Sequence, residues 1–269
     1  MLTREEFERW ASSGVLVADE TDDYYKIRLF WDSYIYAPKS DQSVTPCLLG
    51  TGWESWISAW MMNNIKAGQW FFDIGANSGY YSVLALRQGA SQVFAFEPNP
   101  DYRELLLKTF NGFDSCAYLY SVALSDSPGK AVLRVPGSFE GSASIRDSTD
   151  FVGYDVREVL VDAMTLDDVY DDIKQTPSRP GRSTIVKIDA EGAEEMILDG
   201  GQEFLSSIRP ILVMEYTQGR YSDSFIDKLT DYGYLSKIDF DGGERQTSRE
   251  EIESSTDWIM LVIRPKDNK

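Results

Sequence analysis

The sequence predicts an α/β fold: a mostly parallel sheet with helices on both faces, preceded by an N-terminal extension. Three observations carry this expectation. Trp70–Phe96 reads as strand, glycine-bearing turn, helix and second strand. Thr184–Phe204 repeats the order of buried strand, acidic turn and helix. Apolar or β-branched runs at Cys116–Leu124, Ile211–Met214, Leu235–Phe240 and Trp258–Ile263 supply the remaining strands. Strands alternating with helices make βαβ units and hence a parallel sheet.

Taken in order, residues 1–50 form the extension and 51–269 the main domain. Thr3 opens a short helix to Ser12, with Glu6 as its capping-box partner. Tyr24–Tyr36 is aromatic and β-branched and predicts a strand pair, read as a lid on the core. Thr51-Gly52-Trp53-Glu54 opens a helix with Trp53, Trp56, Ile57, Trp60, Met61 and Ile65 on one face. Glu54 is most simply the capping partner of Thr51, with a site role as the alternative because this helix leads into the central strand.

Trp70–Phe72 then runs into Asp73-Ile74-Gly75-Ala76-Asn77-Ser78-Gly79. The helix from about Ser78 carries Tyr81, Leu84 and Ala85 and closes at Gly89; Gln92–Phe96 is the next strand, ending in Glu97. Such a unit binds a nucleotide-like ligand at the strands' carboxyl ends. Glu97, 22 residues after Gly75, is placed to accept ribose hydroxyls. A dinucleotide fingerprint needs G-x-G-x-x-G and a phosphate loop needs G-K-[ST]; the spacing here is G-x-x-x-G, with no Lys or Arg from Trp70 to Leu86. Asp73 and the helix start suit an amino acid zwitterion instead, carboxylate to ammonium and N–H groups to carboxylate. S-adenosylmethionine carries that head and a ribose. Gly75, Ala76, Asn77 and Gly79 form its cradle in this reading, and Asn77 stands where a middle glycine is usual because Asn enters left-handed backbone readily.

Asn99 and Pro100 start the following helix, with Tyr102, Leu105, Leu106 and Phe110 as its buried stripe. Cys116–Leu124 is the third strand, and Ser121 and Val122 near its end are candidate adenine contacts. Lys130–Val135 predicts a hairpin outside the main sheet, 138–150 a polar, mobile loop, and Val159–Met164 a strand before a helix capped by Thr165 and Asp168. Ile185, Val186 and Ile188 make a buried strand ending in Asp189; the helix after Gly192 buries Ala193, Met196, Ile197 and Phe204. The next strand delivers Glu215 and Tyr216 to the same edge, and a last helix from Tyr221 to Tyr232 stops at Gly233.

Five motifs now stand in order: DIGANSG (Asp73–Gly79), FEPNP (Phe96–Pro100), ALSDSPG (Ala123–Gly129), TLDD (Thr165–Asp168) and KIDAEGAE (Lys187–Glu194). The block from Trp70 to Tyr216 resembles the FkbM-type methyltransferases, a branch of the class I S-adenosylmethionine-dependent enzymes. The resemblance implies a Rossmann-like, seven-stranded sheet with the cofactor across its carboxyl edge. It also implies O-methylation of a sugar, glycoconjugate or natural-product hydroxyl. Residues 1–50 match no family pattern and are the candidate selector of the acceptor.

An alcohol must lose a proton when it is methylated, which calls for a base or a metal. The chain has no histidine, so the candidate bases are Asp189, Glu191, Glu215 and, behind them, Tyr216. Asp189 or Glu191 is read as base or orienting group, with Glu215 opposite. Asp189 is equally open to holding the cofactor, and Glu191 to stabilising the helix after it. Mg²⁺ on these oxygens is the disfavoured alternative, because no tighter acidic cluster marks a dedicated site. No pattern assigns a resident metal or an oligomeric state.

Forty-four acidic against 26 basic residues give a net charge of −18, which disfavours nucleic acid and anionic membrane as partners. The turn after the fourth strand reads Asp189-Ala190-Glu191-Gly192, not the Asp/Asn-Pro-Pro-aromatic turn expected for methylating base amines. A nucleic-acid or protein methyltransferase and a non-catalytic cofactor-binding scaffold are the rival readings. With Cys47 and Cys116 alone, no apolar run near ~18 residues and an acidic start, a cytoplasmic protein with reduced thiols is expected, without membrane insertion.

Overall fold

The computed structural model describes the chain apart from residues 30–31, 51–52, 114, 138, 147–152, 176–183 and 267–269. The extension holds helix α1 (Arg4–Ala11), strands β1 (Leu16–Glu20), β2 (Tyr24–Leu29) and β3 (Ser33–Pro38), and short helix α2 (Val44–Leu48). Thr3 and Glu6 close the expected capping box on α1. The predicted strand pair gains β1, exposed along its whole length and so without the burial pattern that betrays a strand. Asp41 organises α2 by accepting from the amides of Val44 and Thr45, both at 2.9 Å.

Helix α3 (Ser55–Asn64) precedes the main winding. Glu54 stands at its N-cap position in left-handed backbone (φ 42°), with no side-chain cap, so it is not an N3 partner within the helix; Thr51 lies outside the described residues. This corrects the capping-box expectation. There follow β4 (Trp70–Ile74), α4 (Tyr80–Arg87), β5 (Gln92–Phe96), α5 (Pro100–Thr109), β6 (Ala117–Tyr120), β7 (Ala123–Leu124) and β8 (Gly129–Pro136). A 3₁₀ turn (Glu140–Ser142) leads to β9 (Val156–Met164), α6 (Leu166–Ile173), β10 (Ile185–Ile188), α7 (Glu194–Asp199), α8 (Gln202–Ile208) and β11 (Ile211–Tyr216). The chain closes through α9 (Phe225–Tyr232), β12 (Gly233–Ile238), β13 (Glu244–Gln246), α10 (Arg249–Glu253) and β14 (Ile259–Pro265).

The large sheet has the order β13-β12-β14-β11-β10-β4-β5-β6. β4, β5, β6, β10 and β11 are parallel, and β14 runs antiparallel between β11 and β12. Seven strands therefore make the expected class I sheet, and β13 is a short hairpin addition to its edge. The order reverses between β4 and β10. That switch point opens a crevice outside the carboxyl ends of the strands.

Three boundaries differ from expectation. The run Cys116–Leu124 divides: β6 ends at Tyr120, and Ala123–Leu124 leaves to pair with β9 in a separate sheet of order β7-β9-β8. The helix after Gly192 is two helices, because a Cβ at Gly200 would lie 2.2 Å from the Ser125 carbonyl oxygen and the backbones meet there. Met196 is only half-buried. Tyr221 precedes α9 rather than beginning it.

Every residue of β4 is buried, as expected of a central parallel strand. Strand alternation sends Phe72 to one face and Phe71 to the other. Phe72 packs with Phe96, Phe204 and Phe225 under α6–α9. Phe71 shares the opposite core with Val93, Trp60 of α3, and Ile27, Leu29 and Ile35 of the extension. No helix among the described residues is long and apolar enough to cross a membrane.

Candidate active site

The turn after β4 has left-handed backbone at Gly75 (φ 78°), Asn77 (φ 51°) and Gly79 (φ 82°). At Gly75 the requirement is absolute: a Cβ would sit 1.8 Å from the Asp189 carbonyl oxygen. The amides of Gly75 and Ala76 both donate to the Phe96 carbonyl at 3.0 Å, which docks the turn on β5. Glu97 then accepts from the Asn77 amide through Oε2 and the Asn99 amide through Oε1, each at 2.8 Å. Burial pushes the Glu97 carboxyl up to about 7 against the pull of those two amides. Helix α4 starts without a side-chain cap.

Asp73 lies under the turn, 1 % exposed, and does not line the crevice. Its Oδ2 accepts from Ser82 Oγ at 2.6 Å, while Oδ1 is buried with no hydrogen-bond partner among the described residues. Burial raises its carboxyl, and the Lys187 ammonium works against that rise.

The crevice has two lobes. Phe96, Val122, Leu124, Leu133 and Ile145 make the first apolar, with Glu97 beside them. Trp53, Tyr80, Tyr81 and Lys187 line the second, together with Ser43 and Val44 of the extension. Gly75, Asn77, Gly141, Asp189 and Glu191 border both. Of the two predicted adenine contacts, Val122 lines the first lobe and Ser121 lines neither. The stretch expected as a mobile loop reaches the crevice through Gly141 and Ile145, and Ser144 Oγ donates to the Glu191 carbonyl at 2.8 Å. Its residues 138 and 147–150 lie outside those described.

Lys187 projects from β10 with a side chain 2 % exposed, its Nζ 3.0 Å from Asp189 Oδ2. Burial works to lower its pKa, and the charges of Asp189, Asp73 and Glu54 outweigh that and hold it above the usual range. The same ammonium lies 4.9 Å from the centre of the Tyr81 ring.

Glu191 has left-handed backbone (φ 52°). Its carboxylate is 3.4 Å from Arg220 Nη1, which lies 3.4 Å from Glu215 Oε1 as well. Glu215 is thus beside Glu191 across a shared guanidinium, and it does not line the crevice. Burial, then the charge of Asp189, raises Glu191 to about 8 and Glu215 to about 7. The helix-start role belongs to Glu194, whose Oε1 accepts from the Ala190 amide at 2.9 Å. Tyr216 stacks on Tyr221 and also stays out of the crevice. Among the described residues no three His, Cys, Asp or Glu side chains are grouped to hold a metal ion.

Sequence reasoning gave Glu54 a helix cap as its main role and passed over Tyr81 and Arg220 as parts of the site. Glu54 Oε2 accepts from Tyr81 Oη at 2.8 Å, and burial followed by the charge of Asp189 pushes its carboxyl up to about 7. The one available signal was Glu54 itself, an acid at the mouth of an otherwise apolar helix.

A model of the methyltransferase FkbM domain matches residues 73–236, well over half of the chain. The hexuronic acid methyltransferase AglP of Haloferax volcanii is 27 % identical over 142 residues, 53 % of this chain and 54 % of that protein. The chain thus spans about half the length of this curated relative. Among solved structures, methyltransferase FkbM from Methylobacillus flagellatus KT aligns with a TM-score of 0.43 and 15 % identity, over 73 % of this chain and 43 % of that one. Precorrin-6y C5,15-methyltransferase from Geobacter metallireducens GS-15 aligns with a TM-score of 0.39 and 15 % identity, over 76 % and 84 %. With the domain model matched from the Asp73 turn to β12, the chain belongs to the FkbM methyltransferase family.

Proposed function

We propose that this chain is an S-adenosylmethionine-dependent methyltransferase that methylates a hydroxyl of a sugar, glycoconjugate or related small molecule. The observation that carries the reading is the two-lobed crevice at the switch point, with an apolar lobe beside Glu97 and an acid-lined lobe around Asp189 and Glu191. The residues fit such a cofactor. Asp73 Oδ1 is a buried acceptor awaiting a donor, which an ammonium supplies, and the uncapped start of α4 suits a carboxylate. Both Glu97 oxygens hold backbone amides and keep a second lone pair for ribose hydroxyls. When bound, the cofactor supplies a methyl group already activated as a sulfonium.

The protein's part is alignment, acceptance of the hydroxyl proton and exclusion of water. Glu191, with its carboxyl raised to about 8, is matched to proton uptake near neutrality and is assigned as base. Asp189, paired with Lys187 at 3.0 Å, orients the acceptor, and Glu215 sets Glu191 through Arg220. Trp53, half-buried at the second lobe, supplies an aromatic surface of the kind that packs on sugar rings, and the relative named for a hexuronic acid supports a sugar acceptor. Ser43 and Val44 support a role for residues 1–50 in choosing it. The net charge of −18 favours a small or glycan acceptor over nucleic acid.

S-adenosylhomocysteine is expected to raise the melting temperature, and Asp73→Asn or Glu97→Gln to weaken its binding by roughly tenfold or more. Labelled methyl transfer to a panel of sugars then tests the acceptor class. Absence of any thermal shift sinks the proposal.

A further inference from the structure

We infer that the second lobe takes an uncharged polyhydroxyl acceptor and rejects one bearing a carboxylate beside the reacting hydroxyl. This rests on the methyltransferase reading and goes beyond it by fixing the acceptor's charge.

Among the described residues four carboxylates stand in or behind the lobe: Asp189 and Glu191 line it, Glu54 is behind Tyr81, and Glu215 is behind Arg220. Two cations among the described residues answer them. Lys187 is 3.0 Å from Asp189, and Arg220 is 3.4 Å from both Glu191 and Glu215. Two carboxylates are therefore in excess among these groups, with Asp73 left aside for the ammonium. Burial first, and then the charge of Asp189, raises the carboxyls of Glu54, Glu191 and Glu215, and the second of these causes is what crowded negative charge adds.

The reaction accounts for both. One excess charge meets the sulfonium. Transfer then breaks the acceptor O–H bond and the S–CH₃ bond and forms O–CH₃; the bonding pair returns to sulfur and the proton goes to the second carboxylate. No cation among the described residues of the lobe remains to match a further negative charge, and like charges at close quarters in a half-buried site repel. The aromatic surface of Trp53 beside the acids suits the apolar face and hydroxyl rim of a neutral sugar ring.

The test is saturation-transfer NMR on protein loaded with S-adenosylhomocysteine, comparing methyl glucoside with methyl glucuronide, which differ only at C6. The glucoside is expected to bind about tenfold or more tightly. Glu54→Gln and Glu215→Gln should each narrow that gap, and the wild-type comparison decides the matter even where a variant misfolds. Equal or tighter binding of the glucuronide overturns the inference. So does failure of both sugars to bind while S-adenosylhomocysteine still shifts the melting temperature, an outcome that leaves the methyltransferase reading standing. Loss of the shift itself removes both.

Discussion

Glu54, Asn77 and Glu191 hold left-handed backbone around one crevice, a conformation that costs a residue other than glycine roughly 1–2 kcal/mol. Surrounding contacts keep each there: Tyr81 on Glu54, the Glu97 carboxylate on the Asn77 amide, and Ser144 on the Glu191 carbonyl. Gly75 is stricter. Gly75→Ala adds a clash with the Asp189 carbonyl to an unfavourable φ, so a loss of about 2–5 kcal/mol is expected, read as a drop in melting temperature of roughly 5–15 °C. For the proposed base, Glu191→Gln should cut kcat by about 10²–10⁴ and leave cofactor binding largely intact. In the wild type, kcat/KM should rise with pH through about 8, as Glu191 loses its proton, and the variant's profile should flatten. At this scale the left-handed turn at Gly75 and the placing of Glu97 beside it were legible because they follow from local spacing, whereas spacing did not show that Asp73 lies beneath the turn and not along the crevice. Glu54 was not legible, since its partner Tyr81 is 27 residues away and the Thr51–Glu54 spacing imitates a cap.

Helix α4 shows how much of an element can be written locally. It ends in a Schellman arrangement: the Gly89 amide donates to Leu86 and the Ala90 amide to Ala85, both at 3.0 Å, with Gly89 left-handed at φ 90°. Gly89→Ala is expected to cost about 1 kcal/mol, a shift of roughly 2–4 °C by calorimetry. The capping boxes on α1 and α6 were equally readable, because S/T-x-x-D/E is a local code. The split between α7 and α8 was not. Apolar spacing runs across Gly200 and Gly201 without a break, and only the approach of Ser125 from elsewhere in the chain requires it. The division of β6 from β7 has the same origin, in pairing with β9, whose partner residues lie some forty positions on.

Over the whole molecule the buried carboxyls impose a pH dependence on stability. Glu54, Glu97 and Glu215 rise from 4.5 to about 7, and Glu191 to about 8. Folded-state values above the unfolded ones mean that the native protein binds extra protons between about 4.5 and 8. Their contribution is fully present below 4.5 and is lost as pH rises through 7–8. Carboxyls lowered in the fold, such as Glu251 at about 2, oppose this only at acid pH, below 4.5. The ligand-free melting temperature should therefore fall from pH 5.5 to pH 8, and Glu97→Gln should lessen the fall. The alternation of strands and helices made the doubly wound sheet legible. That the Tyr24–Tyr36 strands cover the core was legible as a lid, but their partners were hidden, because Ile27, Leu29 and Ile35 find Phe71 and Val93 only in the assembled fold. Deleting residues 1–50 should uncover that core, abolish cooperative melting and admit a hydrophobic dye.

The contact between Gly75 and the Asp189 carbonyl has one more consequence. It makes a main-chain seam between the loop proposed to cradle the donor and the loop that carries Asp189 and Glu191, so the two sides keep a fixed spacing whatever side chains they carry. On the proposed function, changes at Ser43, Val44, Trp53 or Glu54 would alter acceptor preference while the distance across which a methyl group must travel stays the same.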